Sequence, residues 1–172
     1  TRFALASLVF LIISLACTTF PAPEFKGING WVNSEPLTME ELHGKVVLID
    51  FWTYTCVNCI RTLPYVKEWN AKYADDGLVI IGVHSPKFEF EKDYSNVLRA
   101  TQDNDIVWPV AQDNDFDTWD NYSNQFWPAK YLVDKDGTVQ YSHFGEGQYD
   151  QTEKWIRKLL IDAGADLTDD PL

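Results

Sequence analysis

The stretch 46-VVLIDFWTYTCVNCIRTLPY-65 decides how the chain is to be read. Its first seven residues are apolar apart from Asp50, as in a central strand covered on both faces. From Val57 the apolar residues recur at helical spacing, through Ile60, Leu63, Val66, Trp69 and Tyr73, until Asp75-Asp76-Gly77 closes the helix. Between strand and helix stand two cysteines, Cys56 and Cys59, separated by Val57 and Asn58. A thiol pair where a buried strand turns into a helix lies at the sheet edge that carries ligands and chemistry in α/β folds.

Four chemistries use such a pair. A c-type haem needs His directly after the second cysteine, and Ile60 stands there, which excludes it. A structural zinc needs a second pair of ligands, and the candidates His43, His84 and His143 are scattered singly. The chain has three cysteines, too few for a disulfide framework or a four-thiolate site. A buried pair without a role is the plainest alternative. A redox pair explains the placement better, because a thiol at a helix N-terminus meets unpaired amides and the positive end of the dipole, which favour thiolate. A second cysteine one turn later can close the disulfide. No metal is expected, and no cofactor beyond the disulfide Cys56–Cys59.

Working outward, 78-LVIIGVHS-85 reads as a second buried strand, residues 88–104 as a second helix, and 106–111 as a third strand that Pro109 marks as an edge or an end. A short helix is expected over 115–123. A hairpin follows, 129-AKYLVD-134 and 138-TVQYSHF-144 about Lys135-Asp136-Gly137, and then an amphipathic helix over 148–163 with Trp155, Ile156, Leu159 and Leu160 inward. Upstream, residues 30–33 suit a short strand. Residues 37–42 suit a helical turn or two, with Thr38 and Glu41 as a capping box. Strand–helix units followed by a hairpin and a last helix indicate an α/β fold, a central mixed sheet covered on both faces.

The 172 residues carry a net charge of -12, with 45% hydrophobic and 15% aromatic residues. That composition is globular, and the acidic balance excludes a nucleic-acid partner, which needs a basic face. At the start, Arg2 precedes the uncharged apolar run Phe3 to Ala16, shorter than the ~20 residues of a spanning helix. Ser14-Leu15-Ala16-Cys17 resembles the lipobox of bacterial lipoproteins, with Ser14 where that box favours a Leu-type residue. Residues 1–17 are therefore expected to be a signal peptide or a lipoprotein anchor with Cys17 as lipid acceptor. The alternative is a short uncleaved anchor in which Cys17 is incidental. Residues 18–26 read as a Pro-bearing linker, and residues 27–172 as the folded domain.

The motif set resembles the thioredoxin superfamily. It is similar to the TlpA-like/redoxin group, closest to the thioredoxin domain of DipZ-type cytochrome-biogenesis proteins, whose WTxxCxNCxRxxPY pattern runs from Trp52 to Tyr65. The resemblance covers roughly residues 27–163 and implies a thioredoxin-like three-layer α/β/α sandwich. It further implies that Trp52 packs beside the redox pair and contributes to substrate binding, and that Asp50 relays a proton to the resolving thiol. Pro64 matches the proline of the active-site helix, and Trp127-Pro128 the cis-proline loop along which a substrate segment pairs. The larger family proteins carry further modules, and this chain is expected to be the redox module on its own. Val57-Asn58 replaces the Gly-Pro of housekeeping thioredoxins. Residues between the cysteines tune the potential, so the direction of electron flow stays open.

The residues themselves allow blander readings. Asp50 in an apolar strand has no evident partner, so burial should raise its pKa toward neutrality and its replacement should stabilise the fold; the blander alternative is a carboxylate at a strand end with access to solvent. A proline opening a strand, like Pro128, is common in plain turns.

The implied activity is an exported, membrane-anchored thiol-disulfide oxidoreductase of the cell envelope. It would act as a monomer on protein thiols and disulfides, and draw on an upstream electron donor. A thiol peroxidase is the alternative within the redoxins: Thr53 stands three before Cys56 as in that pattern, but Ile49 occupies the place of its proline. A Cu(I) metallochaperone is the alternative from another class, with His143 as the one candidate third ligand.

Overall fold

The computed structural model describes residues 19–167, so the apolar run and Cys17 lie outside the described residues. Seven strands form one sheet: β1 (Phe20–Pro21), β2 (Gly30–Val32), β3 (Val46–Trp52), β4 (Leu78–His84), β5 (Val110–Gln112), β6 (Ala129–Val133) and β7 (Thr138–Phe144). Four helices accompany them, α1 (Val57–Tyr73), α2 (Tyr94–Asp103), α3 (Asp117–Asn121) and α4 (Tyr149–Asp162). The order across the sheet is β1-β7-β6-β3-β4-β5-β2. β3, β4 and β5 run parallel, and β6 lies antiparallel on the other side of β3.

All seven residues of β3 are buried, so the strand lies at the centre of both sheet faces. Side chains alternate along it. Val47, Ile49 and Phe51 join one core cluster, with Trp119 of α3, Tyr131 and Met39. Val46, Leu48 and Trp52 join the other, with Leu63, Val66 and Trp69 of α1, Val97 of α2 and Ile156 and Leu160 of α4. The period of two puts Asp50 on this second face, beneath α1. The result is three layers, with three helices on one side and a thinner cover of α3, the 39–44 turns and the N-terminal segment on the other.

Four local expectations change. The segment expected as a linker is docked over its described part: Phe20 and Pro21 pair with Val139 and Thr138, and the Lys26 amide donates to Thr118 Oγ1 at 2.8 Å. Half-buried Phe20, Ala22 and Phe25 hold it there through apolar contact. Residues 37–42 form turns and no helix, although Thr38 and Glu41 exchange the reciprocal hydrogen bonds of a capping box. The single helix expected over 88–104 is broken into a 3₁₀ turn, Glu89–Lys92, and α2. Asp93 breaks it by adopting an extended conformation and capping α2 through the Ser95 amide at 2.8 Å. The third strand starts only at Val110, after Pro109, which has no amide proton to give the ladder.

Candidate active site

Cys56 is the N-cap residue of α1, extended at φ -82°, ψ 108°, and its carbonyl accepts the first helical hydrogen bond, from Ile60, at 3.0 Å. Cys59 lies one turn on. Both are free thiols. Cys56 retains 9% of its surface and Cys59 1%, so the first is the thiol a partner can reach. Burial pushes the Cys59 thiol far up, and the neighbouring Cys56 and the charge of Asp50 add to the effect. Cys59 therefore stays protonated until something takes its proton.

Beneath the pair, Asp50 faces Lys130 directly across the antiparallel β3–β6 ladder. Lys130 Nζ is 2.9 Å from Asp50 Oδ1 and 3.5 Å from Thr62 Oγ1, and Thr62 in turn donates to the Cys59 carbonyl at 2.8 Å. Both charged side chains are buried. Burial raises the Asp50 pKa, and the Lys130 ammonium opposes that rise in part. The sequence reading missed Lys130, and its expectation of an unpaired acid is corrected: removing Asp50 would strand a buried cation. A lysine flanked by Ala129, Tyr131, Leu132 and Val133 in a strand was the available signal.

A second polar cluster fixes the loop that leads into Cys56. Glu91 is fully buried, and its Oε1 accepts the hydroxyls of Thr53 at 2.5 Å and Thr55 at 2.6 Å. Its Oε2 accepts the amides of Lys87 and of Phe88, the latter at 2.9 Å. Burial alone would raise this carboxyl, but the hydrogen bonds from Thr53, Thr55, Phe88 and Lys87 outweigh it and hold the pKa below the usual range. His84 Nε2 lies 3.3 Å from Thr53 Oγ1, and burial pushes that imidazole down to about 4. Since Thr53 gives its proton to Glu91, the contact requires His84 to donate from Nε2. Neither residue stood out in sequence: His84 was one of three singly scattered histidines, and Glu91 lay unremarked in the segment expected as a single helix.

The remaining candidates divide. The Trp127–Pro128 peptide is cis, and the Trp127 carbonyl oxygen lies 4.0 Å from Cys56 Sγ. Trp127 Nε1 donates to the Ser85 carbonyl at 3.1 Å, and its ring packs 4.2 Å from that of Trp119. Trp52 lies edge-on to His84 and is 2% exposed. Its ring belongs to the core cluster shared with α1 and leaves a substrate almost no surface to touch. Pro64 lies inside α1. His143, the third ligand named for copper, contacts the Glu146 carbonyl at 3.3 Å, and no group of three or more His, Cys, Asp or Glu is placed to hold a metal among the described residues. No helix of the described residues is long and apolar enough to cross a membrane.

The family model described as the AhpC/TSA family matches residues 19–142. Protein DipZ of Mycobacterium tuberculosis is 50% identical over 145 residues, which cover 83% of this chain and 21% of DipZ. Thiol-disulfide oxidoreductase YkuV of Bacillus subtilis is 33% identical over 143 residues, covering 83% of this chain and 95% of YkuV. A solved thioredoxin-like protein in its oxidized form superposes with a TM-score of 0.75 at 33% identity, covering 83% of this chain and 95% of its own. The chain thus spans about a fifth of the DipZ proteins it matches. It belongs to the AhpC/TSA family and has the thioredoxin-like fold.

Proposed function

We propose that this chain is a thiol-disulfide oxidoreductase that exchanges disulfides with cysteines of other proteins. One observation carries the reading: a thiol at a helix N-terminus that keeps a little exposed surface is backed by a more deeply buried second thiol, which sits above a buried acid–base pair. Relatives named thiol-disulfide oxidoreductases support it.

In the reductive direction, the Cys56 thiolate attacks one sulfur of a partner disulfide. That S–S bond breaks, a mixed disulfide forms with Cys56, and the other partner sulfur leaves as a thiolate that takes a proton. Cys59 then gives its proton to Asp50 and attacks Cys56 Sγ, which releases the second partner thiol and closes Cys56–Cys59. Lys130 keeps Asp50 in place as acceptor and balances its charge. The partner backbone lies beside the Trp127 carbonyl, at the cis Trp127–Pro128 bond. An external dithiol donor returns the pair to its reduced state.

Export and anchoring belong to the same proposal and rest on the composition of residues 1–17. If Cys17 carries lipid, Cys17→Ala shifts the protein from the membrane to the soluble fraction. Unchanged fractionation with an unchanged N-terminal mass would sink that part.

The deciding experiment is equilibration of the Cys56–Cys59 couple with a glutathione or dithiothreitol buffer, beside an insulin-reduction assay. A potential near the reducing thioredoxins makes the chain a reductase, and one near the oxidising periplasmic enzymes makes it an oxidase. Failure to exchange with either buffer while both thiols are intact would overturn the proposal. Membership of the AhpC/TSA family favours the peroxidase as second reading. Against it, Thr53 gives its hydroxyl proton to Glu91, so in this arrangement it has none to offer a peroxide at Cys56. Rapid peroxide consumption would reverse that ranking.

A further inference from the structure

We infer that the loop of residues 86–92 is a docking rim that grips an apolar side chain of the partner polypeptide, a few residues from the partner's reactive cysteine. The inference rests on the oxidoreductase reading of Cys56.

Phe88 and Phe90 are 52% and 54% exposed, and their rings stack in parallel, 5.5 Å apart at 8°. Exposed phenylalanines on a loose loop would mean little. This loop is anchored. Glu91, in the same turn, is fully buried and takes the amides of Lys87 and Phe88 on one carboxylate oxygen and the hydroxyls of Thr53 and Thr55 on the other. Tyr54 extends the tie, with its hydroxyl 3.4 Å from the Phe90 carbonyl. The residue that holds Phe88 and Phe90 toward solvent is therefore the one that fixes the approach to Cys56. Apolar surface held out by a buried charge is placed there by the fold, not left over from it.

Between this rim and the cis-proline loop runs an open groove of about 490 Å³, lined by Pro86, Lys87, Phe88, Glu89, Lys92, Phe116 and Trp127. The groove is continuous with the site, because Trp127 forms one wall and its carbonyl faces Cys56 Sγ. A polypeptide whose cysteine has bonded to Cys56 and whose backbone continues past Trp127 must lie over it. The aromatic walls supply apolar contact; Glu89 pairs with Lys92 at 3.1 Å, and the Lys87 ammonium lies 5.9 Å from the centre of the Trp127 ring. The occupant fitted is thus an extended segment of a partner protein with a Leu, Met or Phe beside its cysteine, and not a strongly basic one. Burying one such side chain contributes enough for about tenfold in affinity.

The test uses the full chain and two synthetic disulfide-linked peptides that differ only by Leu or Ser near the cysteine, with hydroxyethyl disulfide as a reference that does not reach the rim. The wild type should favour the Leu peptide by about tenfold in kcat/KM. Phe88→Ser with Phe90→Ser should abolish that preference and leave the rate with hydroxyethyl disulfide unchanged. Phe90→Ser alone should lose part of the preference. Retention of the full preference by the double variant would overturn the inference. So would a wild-type dimer that the double variant converts to monomer, since the rim would then be a face between copies of this chain. Failure of the wild type to react even with hydroxyethyl disulfide would instead count against the oxidoreductase reading, which keeps the two failures apart.

Discussion

Lys130 Nζ stands 2.9 Å from Asp50 Oδ1, and the two residues are direct partners in the β3–β6 register with both side chains buried. Neither charge can be removed singly without leaving the other in an apolar core. Asp50→Asn should therefore destabilise the reduced protein by about 3–5 kcal/mol, whereas Asp50→Leu with Lys130→Met should recover most of that loss. Urea unfolding of the single variants and the pair measures it. An Asp50→Asn protein as stable as the parent would mean that the ion pair contributes nothing.

The same pair of substitutions separates stability from chemistry. The double variant keeps a packed floor but has nothing beneath Cys59 to accept its proton. Resolution of a preformed mixed disulfide should slow by ~10²–10⁴-fold, the usual worth of a positioned base. Stopped-flow release of the partner thiol reads this step, and an undiminished rate would take Asp50 out of the mechanism.

The difference in burial between the two thiols assigns their order of attack. Cys59→Ser should accumulate mixed disulfides through Cys56, visible as added mass that a reductant removes. Cys56→Ser should accumulate none, since Cys59 is covered and held protonated by burial. Equal trapping by both variants would refute the assignment.

His84 predicts an acid-sensitive fold. Its folded pKa lies at about 4, below the ordinary 6.5, so between those values the unfolded chain binds a proton that the folded chain refuses. Stability is then complete above about pH 6.5 and falls as pH drops toward 4, by on the order of 3 kcal/mol from this group. Glu91, whose carboxyl is also held low, adds a loss of the same sign in more acidic solution. His84→Gln removes the first contribution and keeps the second. Urea midpoints at pH 7 and pH 4.5 should therefore shift less in the variant than in the wild type, and parallel shifts would show that His84 titrates normally.

Much of this protein follows from residues close together in the chain. The bounds of β3, α1 and β7 coincide with those expected from apolar periodicity and turn residues, because such elements are set by neighbours within a few positions. The Cys56–Cys59 spacing and its place at a helix N-terminus are legible for the same reason. Asp50 could be recognised as a buried acid from the strand around it. Its partner could not, because Lys130 is 80 residues away and reaches it through the pairing of β6 with β3. Glu91 likewise belonged to a plausible helix until Asp93 ended the 3₁₀ turn and left the carboxylate inside, where it collects donors from two loops. Trp52 was legible as an aromatic next to the pair, but whether it faced a partner or the core depended on α1 and His84 covering it. Spacing along the chain settles which groups can react, while the desolvation and pairing that tune them come from contacts only the packed sheet creates.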